Sequence, residues 1–301
     1  MLIDVHSRNM RVLSCFSSET RVNIIELLGK GEWSIGELAN ELNMSSAIIT
    51  KHIQTLEEAG IVTTYSVAGT RGRRKLCKLV HNSITLLMHQ ETAQEEKNTY
   101  CVSIPVGQYN SHAVKPTCGL ASEQGIIGMV DDPRYFTSPD HVQASHVWLS
   151  SGYLEYAIPN YLVGKQRVRR LTISLEIGSE APGYNDNWPS DLSFHLNGKP
   201  IGQWTCPGDF GSSRGVLTPS WWSMGSQHGL LKTLSISAEG TYMDGIRISG
   251  ITPSELAIAA GQPLYLRIAC PEDAIHAGGL CLFGRGFGNY EQDIEITVHY
   301  E

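Results

Sequence analysis

The sequence predicts a multi-domain chain: an N-terminal α(+β) unit with helix-turn-helix spacing, followed by a C-terminal all-β sandwich. Three observations lead there. Up to about residue 97, apolar residues recur at helical spacing, as in Val22, Ile25 and Leu28, then Leu38 and Leu42, then Ile49, Ile53 and Leu56. Beyond it, short alternating runs such as LTISLEI, TLSISA, GIRIS, LYLRIA and DIEITVHY, set between Gly, Pro and Asn, read as strands. The charge divides at the same place. Residues 1–97 hold 11 Lys and Arg against 11 Asp and Glu, residues 98–301 hold 12 against 19, so the second part carries all of the net charge of -7. The expected domains are 1–97 and 98–301, with the polar run HQETAQEEKNT (89–99) as a helix end and linker. A chain of 301 residues suits two domains of ordinary size.

The composition excludes some classes. An apolar content of 41% argues against a disordered chain, and no run of 18 uncharged apolar residues offers a bilayer span. MLIDVHSRNMRVL lacks the basic and apolar regions of a secretory leader, so the expected location is cytoplasmic, away from membranes. Seven cysteines without a CxxC give neither a disulfide framework nor a zinc ribbon, and read as small buried hydrophobes.

In the first part, SETRVNIIELLG (18–29) is an amphipathic helix capped by Ser18 and stopped by Gly29 or Gly31. Ser34 caps a second helix, IGELANEL. NMSS (43–46) turns the chain, and Ser45 or Ser46 caps a third, AIITKHIQTLEEA, ending at Gly60. A tight turn between the last two gives helix-turn-helix spacing. IVTTYSV, the loop AGTRGRRK and LCKLV then read as a β-hairpin, which makes the unit a winged helix. The third helix offers Ser45, Ser46, Thr50, Lys51 and His52 to the major groove of a double-stranded DNA operator. Arg71, Arg73, Arg74 and Lys75 at the hairpin tip suit DNA phosphates.

SSETRVNIIELL, SIGELANELNMSSAIITKHIQTLEEAGIV and the basic wing resemble the ArsR-type winged-helix repressors over about residues 8–90. The resemblance implies a homodimer, paired through the first helix and a helix after the wing (about 83–95), reading a near-palindromic operator. One departure matters. Metal-sensing members carry a Cys pair before the recognition helix or His and Asp ligands on the dimer helix, whereas GELANEL has no Cys and His81 and His89 lack the matching partners. No metal and no cofactor are expected, and sensing moves to the second part.

There, about 200 residues of short strands and Gly, Pro and Asn turns suggest a β-sandwich of jelly-roll type. Residues 180–229 gather Asn185, Asp186, Asn187, Trp188, His195, Trp204, Asp209, Arg214, Trp221, Trp222, Gln227 and His228. Flat aromatics among polar donors and acceptors suit a small carbohydrate-like effector, because sugar CH faces stack on indole while hydroxyls bond Asp, Asn, His and Arg. In TPSWW, adjacent strand residues would face opposite ways, so one Trp fills core and the other is presented. SFHLNGKPIGQW reads as a hairpin turning at Asn197-Gly198, and resembles the strand-to-strand pattern of carbohydrate-binding jelly rolls. Arg285, Asn289, Tyr290 and Gln292 either line the same mouth or form a compact loop before the final strand, the structural reading being the one favoured. Asn185, Asp186, Asn187 and Asp191 offer calcium-type oxygens without EF-hand spacing.

The chain therefore reads as a DNA-binding transcription regulator, a repressor by resemblance, and not an enzyme. Carboxylates at Glu155, Asp186, Asp191, Asp209, Asp244 and Glu291 lack the spacing of a hydrolase, and GxSxG, HExxH and P-loop motifs are missing. Two alternatives stay open: a C-terminal protein-interaction or oligomerisation module, and a carbohydrate-active enzyme.

Overall fold

The computed structural model describes residues 2–69, 72–81, 84–87, 98–223 and 225–301. Its contacts divide the chain into two compact units, Met1–Thr92 and Ala93–Glu301.

The first unit contains β1 (Leu2–Asp4), α1 (Met10–Leu13), α2 (Glu19–Gly29), β2 (Trp33–Ser34), α3 (Ile35–Glu41), α4 (Ser46–Glu58), β3 (Val62–Gly69), β4 (Gly72–Leu79) and β5 (Thr85–Leu87). Ile24 and Leu28 of α2, Leu38 of α3, and Ile49, Ile53 and Leu56 of α4 meet in one core, closed by Cys15, Val62 and Cys77. The helix ends follow from local chemistry. Ser34 and Glu37 form a reciprocal capping box on α3. At the end of α3, Asn43 takes the left-handed conformation (φ 52°) while Met44 N–H donates to the Ala39 carbonyl at 2.9 Å. Ser45, rather than Ser46, caps α4. Gly60 (φ 72°) ends it in the same way as Asn43 ends α3, with Ile61 N–H on the Leu56 carbonyl.

Two expectations are corrected here. The wing strands pair as far as Gly69 opposite Gly72, so Arg73, Arg74 and Lys75 are strand residues and the tip is two residues long. Arg71 lies outside the described residues. In the segment expected as a helix at 83–95, Thr85–Leu87 is a strand in parallel register with β1; residues 83 and 88–95, His89 included, lie outside the described residues.

The second unit is antiparallel throughout: β6 (Thr99–Ile104), β7 (Ser111–Ala121), β8 (His146–Ile158), β9 (Val168–Gly178), β10 (Ser190–Leu196), β11 (Lys199–Cys206), β12 (Leu230–Ser237), β13 (Gly240–Met243), β14 (Ile246–Ser249), β15 (Leu264–Cys270), β16 (Leu280–Phe283) and β17 (Ile294–Tyr300). Pairing runs β11-β10-β15-β8-β7 on one side and β6-β17-β9-β12-β13-β14 on the other. β16 joins the two, bonded to the first four residues of β8 and the last three of β9. This is a jelly-roll-like sandwich closed along one edge. Period-two alternation buries Leu171, Ile173, Leu175 and Ile177 of β9 against Leu154, Tyr156 and Ile158 of β8 and the matching residues of β10, β15 and β17. The Asn197-Gly198 turn forms as expected, with both residues at positive φ. Six of the seven cysteines are buried; Cys101 is exposed.

Outside the main core, Trp148, Trp222, Cys281, Phe283 and Phe287 form a smaller one. His146 is fully buried within it, stacked 4.4 Å from Phe283 and 5.0 Å from Phe287. Burial lowers its pKa to about 4, so the imidazole is neutral, with Nδ1 3.0 Å from the Leu282 carbonyl.

Three acids are buried on this side. Glu176 accepts N–H bonds from Gly229 (2.8 Å), Asn289 (2.9 Å) and Tyr290 (3.0 Å), tying two loops to β9. Burial nonetheless raises its pKa to about 7. Glu180 accepts from Thr117 Oγ1 (3.0 Å), Cys281 Sγ (3.3 Å) and Ser226 Oγ (3.4 Å). Burial, and then the charge of Asp209, push Glu180 up to about 8, while burial raises Asp209 to about 6.

In an unfolded chain these acids titrate near 4. Between that point and pH 8 the folded state holds more protons on these acids, so their contribution to stability is fully present at acid pH and declines as the pH rises to 8, against a smaller opposite contribution from neutral His146 below about 6.5. Calorimetry at pH 5 and pH 8 should show that decline, and Glu180→Gln should shrink it; an unchanged difference in melting temperature refutes the assignment. At Gly152 (φ 119°), where β8 passes from one partner to the next, an added Cβ would lie 1.8 Å from the Ala113 carbonyl oxygen. Gly152→Ala should destabilise the sandwich by on the order of 3 kcal/mol in urea melts, against less than about 0.5 for an exposed change such as Ser254→Ala.

Candidate functional site

In the first unit, the buried stripe of α4 fixes which residues face outward. Ser46, Ala47, Ile48, Lys51 and Gln54 are exposed, Ile48 by 43%. Ser45 is exposed too, but its hydroxyl caps the helix. Thr50 is half-buried and donates its hydroxyl to the Ser46 carbonyl at 2.7 Å. His52 flanks the packed face, its pKa lowered by burial and by Arg21. Of the expected reading residues, Ser46 and Lys51 are thus the most available. Ala47, Ile48 and Gln54 were missed, although the complement of the apolar stripe contains them.

Two of the wing cations, Arg74 and Lys75, are committed within the unit. Arg74 donates to Glu37 Oε1 at 2.5 Å and to Ser34 Oγ at 3.2 Å, joining β4 to the cap of α3. Those bonds, led by the Ser34 backbone N–H, hold Glu37 down at about 2. Lys75 pairs with Glu57 of α4 at 3.7 Å, and Thr64 of β3 donates to the same carboxylate at 2.5 Å. Arg74 and Lys75 therefore orient the wing against both helices of the helix-turn-helix.

In the sandwich, segments 185–188, 209–214 and 225–228 converge. Asn185 bridges to Asp209 and Phe210 to His228, whose rings stack 5.4 Å apart. Asp186 accepts from the N–H groups of Gly211 (3.2 Å) and Ser212 (3.3 Å) and from the Ser212 hydroxyl, which lowers its pKa. His228 Nε2 lies 3.2 Å from Ser213 Oγ. Asn185, Asp186, Asn187, Trp188, Arg214 and Trp221 are exposed.

Several expected residues are occupied otherwise. Trp222, Gln227 and Asp209 are buried, and Trp222 donates its indole N–H to the Ser226 carbonyl at 2.9 Å. Trp221 and Trp222 do divide into one presented and one packed ring, but they lie on a turn rather than a strand. Arg214 donates to the carbonyls of Thr218 and Pro219, bracing its own loop. Trp204 lies on the core side of β11 with the Lys232 ammonium 4.6 Å from its ring, and His195 faces outward from β10 opposite Arg267. Neither joins the loops. Tyr184, 51% exposed beside Gly211, does, and was missed within the same PGYNDNW run.

The calcium-type oxygens are not assembled. Asp186 serves Gly211 and Ser212, while Asp191 serves Thr205 and His276. Among the described residues no group of three or more His, Cys, Asp or Glu side chains is gathered as a metal ion requires. Asn289 and Gln292 hold loops, bonding Val216 N–H and Ser174 Oγ. Among the described residues no helix is long and apolar enough to cross a membrane.

Residues 18–64 match a family model described as bacterial regulatory protein, arsR family. No curated protein matches the chain. Similar solved structures fall in two groups. HlyU from Vibrio cholerae is 26% identical over 24% of this chain and 73% of its own, with a TM-score of 0.22. A homodimeric winged helix-turn-helix DNA-binding domain from Mycobacterium bovis, described as a possible ArsR-family regulator, is 24% identical over 24% of this chain and 62% of its own, TM-score 0.21. The CBM36-1 domain of a multidomain xylanase from the hindgut metagenome of Trinervitermes trinervoides is 9% identical over 67% of this chain and 96% of its own, TM-score 0.29. Residues 18–64 are an arsR-family helix-turn-helix domain, and the hairpin of β3 and β4 completes a winged-helix DNA-binding unit.

Proposed function

We propose that the chain is a cytoplasmic transcription regulator, a repressor, whose sandwich binds a small carbohydrate-like effector that weakens its hold on an operator. The observation that carries the reading is the union of an exposed recognition face on α4 with a second unit whose loops present Tyr184, Trp188 and Trp221 among Asp186, Asn187 and Ser213. Binding is the simpler use of such a surface, since its acids are engaged by neighbouring N–H and hydroxyl groups. The proposed contacts to the effector are Asn185, Asp186, Asn187, Trp188, Trp221 and His228; Asp209, Trp222 and Gln227 shape the loops from below.

The regulator acts as a homodimer. Val5, Met10, Phe16 and Leu86 stay exposed on the segments that flank the helix-turn-helix core, and a second copy would cover them. Two recognition helices then read two half-sites. An effector that favours one arrangement of the dimer over another needs only about 1–3 kcal/mol of differential affinity to change operator occupancy.

On operator DNA, Lys51→Ala or Gln54→Ala should cost about 1–3 kcal/mol each and relax sequence preference, measured by fluorescence anisotropy with operator and scrambled duplexes. Equal losses on both duplexes would remove α4 from base reading. Arg71→Ala with Arg73→Ala should lower the salt slope by about two, whereas Arg74→Ala, removing a brace, should weaken binding with a slope change well below one. A full unit of slope lost on Arg74→Ala makes it a phosphate contact instead.

A further inference from the structure

We propose that the outward face of the β7-β8-β15-β10-β11 layer is a second binding groove for a neutral oligosaccharide, separate from the loop surface. The inference rests on the reading that the sandwich binds sugars. Register places Ser111, Glu155, Arg267 and His195 in one row across four adjacent strands. Beside it runs a second row, Ala113, Tyr153, Ala269, Ser193 and Gln203. Small residues keep the floor low, so the larger polar and aromatic groups stand above it.

Those groups are pre-ordered. The Arg267 guanidinium lies 3.9 Å from the Tyr153 ring centre and its Nε is 2.9 Å from Glu155 Oε2. Along the other side of the first row, beside Tyr265, a cavity of about 410 Å³ opens, lined by Glu155, Asn197, Lys199, Ala257, Pro263 and Tyr265. Its wall is fixed by Asn197, which donates to the Leu256 carbonyl and accepts from Tyr265 N–H, both at 3.0 Å. The volume falls in the range of small-molecule sites.

The chemistry selects the ligand. Tyr265, 42% exposed, offers a flat ring for a pyranose CH face. Glu155 accepts from hydroxyl pairs, and Arg267 donates. Because Glu155 and Arg267 neutralise each other and the Lys199 ammonium is engaged by the Glu255 carbonyl, the floor favours an uncharged polyol over an anion. His195 Nδ1 is buried without a partner among the described residues, so the row retains one unspent polar group. The groove contains tyrosines and no tryptophan, unlike the loop surface.

The test titrates xylotriose, cellotriose and maltotriose into the full chain by calorimetry, with tryptophan emission followed in parallel. A Trp188→Ala, Trp221→Ala variant should still bind one of the three, with no change in emission, and adding Tyr265→Ala and Glu155→Gln should weaken that remaining binding at least ~10-fold. All four side chains reach the surface, and circular dichroism checks the fold of each variant. Binding abolished in the tryptophan variant alone, or surviving the groove changes, overturns the groove while the sugar reading stands. No heat from any of the three sugars with the unaltered chain overturns both.

Discussion

The sandwich depends on one strand being shared. β8 bonds β16 through its first four residues and β15 through its last seven, with β7 along its other edge, so it belongs to both halves of the jelly roll. The change of partner from β16 to β15 falls beside Gly152, whose positive φ (119°) lies where the Ala113 carbonyl leaves no room for a side chain. The inward side chains Leu154, Tyr156 and Ile158 of β8 join the aliphatic core between the two inner faces. The small aromatic core around His146 depends on β8 too, because the first half of β8 carries His146 and Trp148 to the outside.

The loop surface depends in turn on what lies beneath it. Glu176 holds the chain at Gly229 and at Asn289-Tyr290 through backbone N–H groups, and Trp222 anchors the loop before Gly229 in the small core. The loop that presents Trp221 is thus fastened by buried groups at Trp222 and Gly229. Such fastening lowers the ordering cost of binding, since the exposed ring sits on braced backbone. The acids that do the fastening are costly to bury, which is why their protonation and the stability of this unit are linked.

Much of this was legible in the sequence, for identifiable reasons. Local signals carried the helix-turn-helix: Ser34, Ser45, Asn43 and Gly60 each act within a few residues of where they stand. The five alternating runs all became strands, because a strand with one buried face must alternate. Sequence did less well where long-range contacts decide. Nothing local distinguishes the packed Trp222 from the presented Trp221, or shows that His195 and Trp204 sit on opposite faces of the sheet, away from the loops. The length of the wing strands was missed because Arg and Lys in the GRRK run resemble loop composition, while their pairing with Gly69 back to Ser66 is set by the hairpin as a whole. Only α4's outward face, complementary to its apolar stripe, could have been read further than it was.

The acids that brace the wing bear on what its cations have left for a duplex. Phosphate binding draws on mobile cations, and here Glu37 and Glu57 already occupy two of them. Both pairs are half-exposed and both cations keep further N–H donors, so a duplex phosphate would compete with these carboxylates for the cations rather than find them free. The same pairs fix the angle of the wing against α3 and α4, so bracing and any phosphate contact draw on the same two side chains.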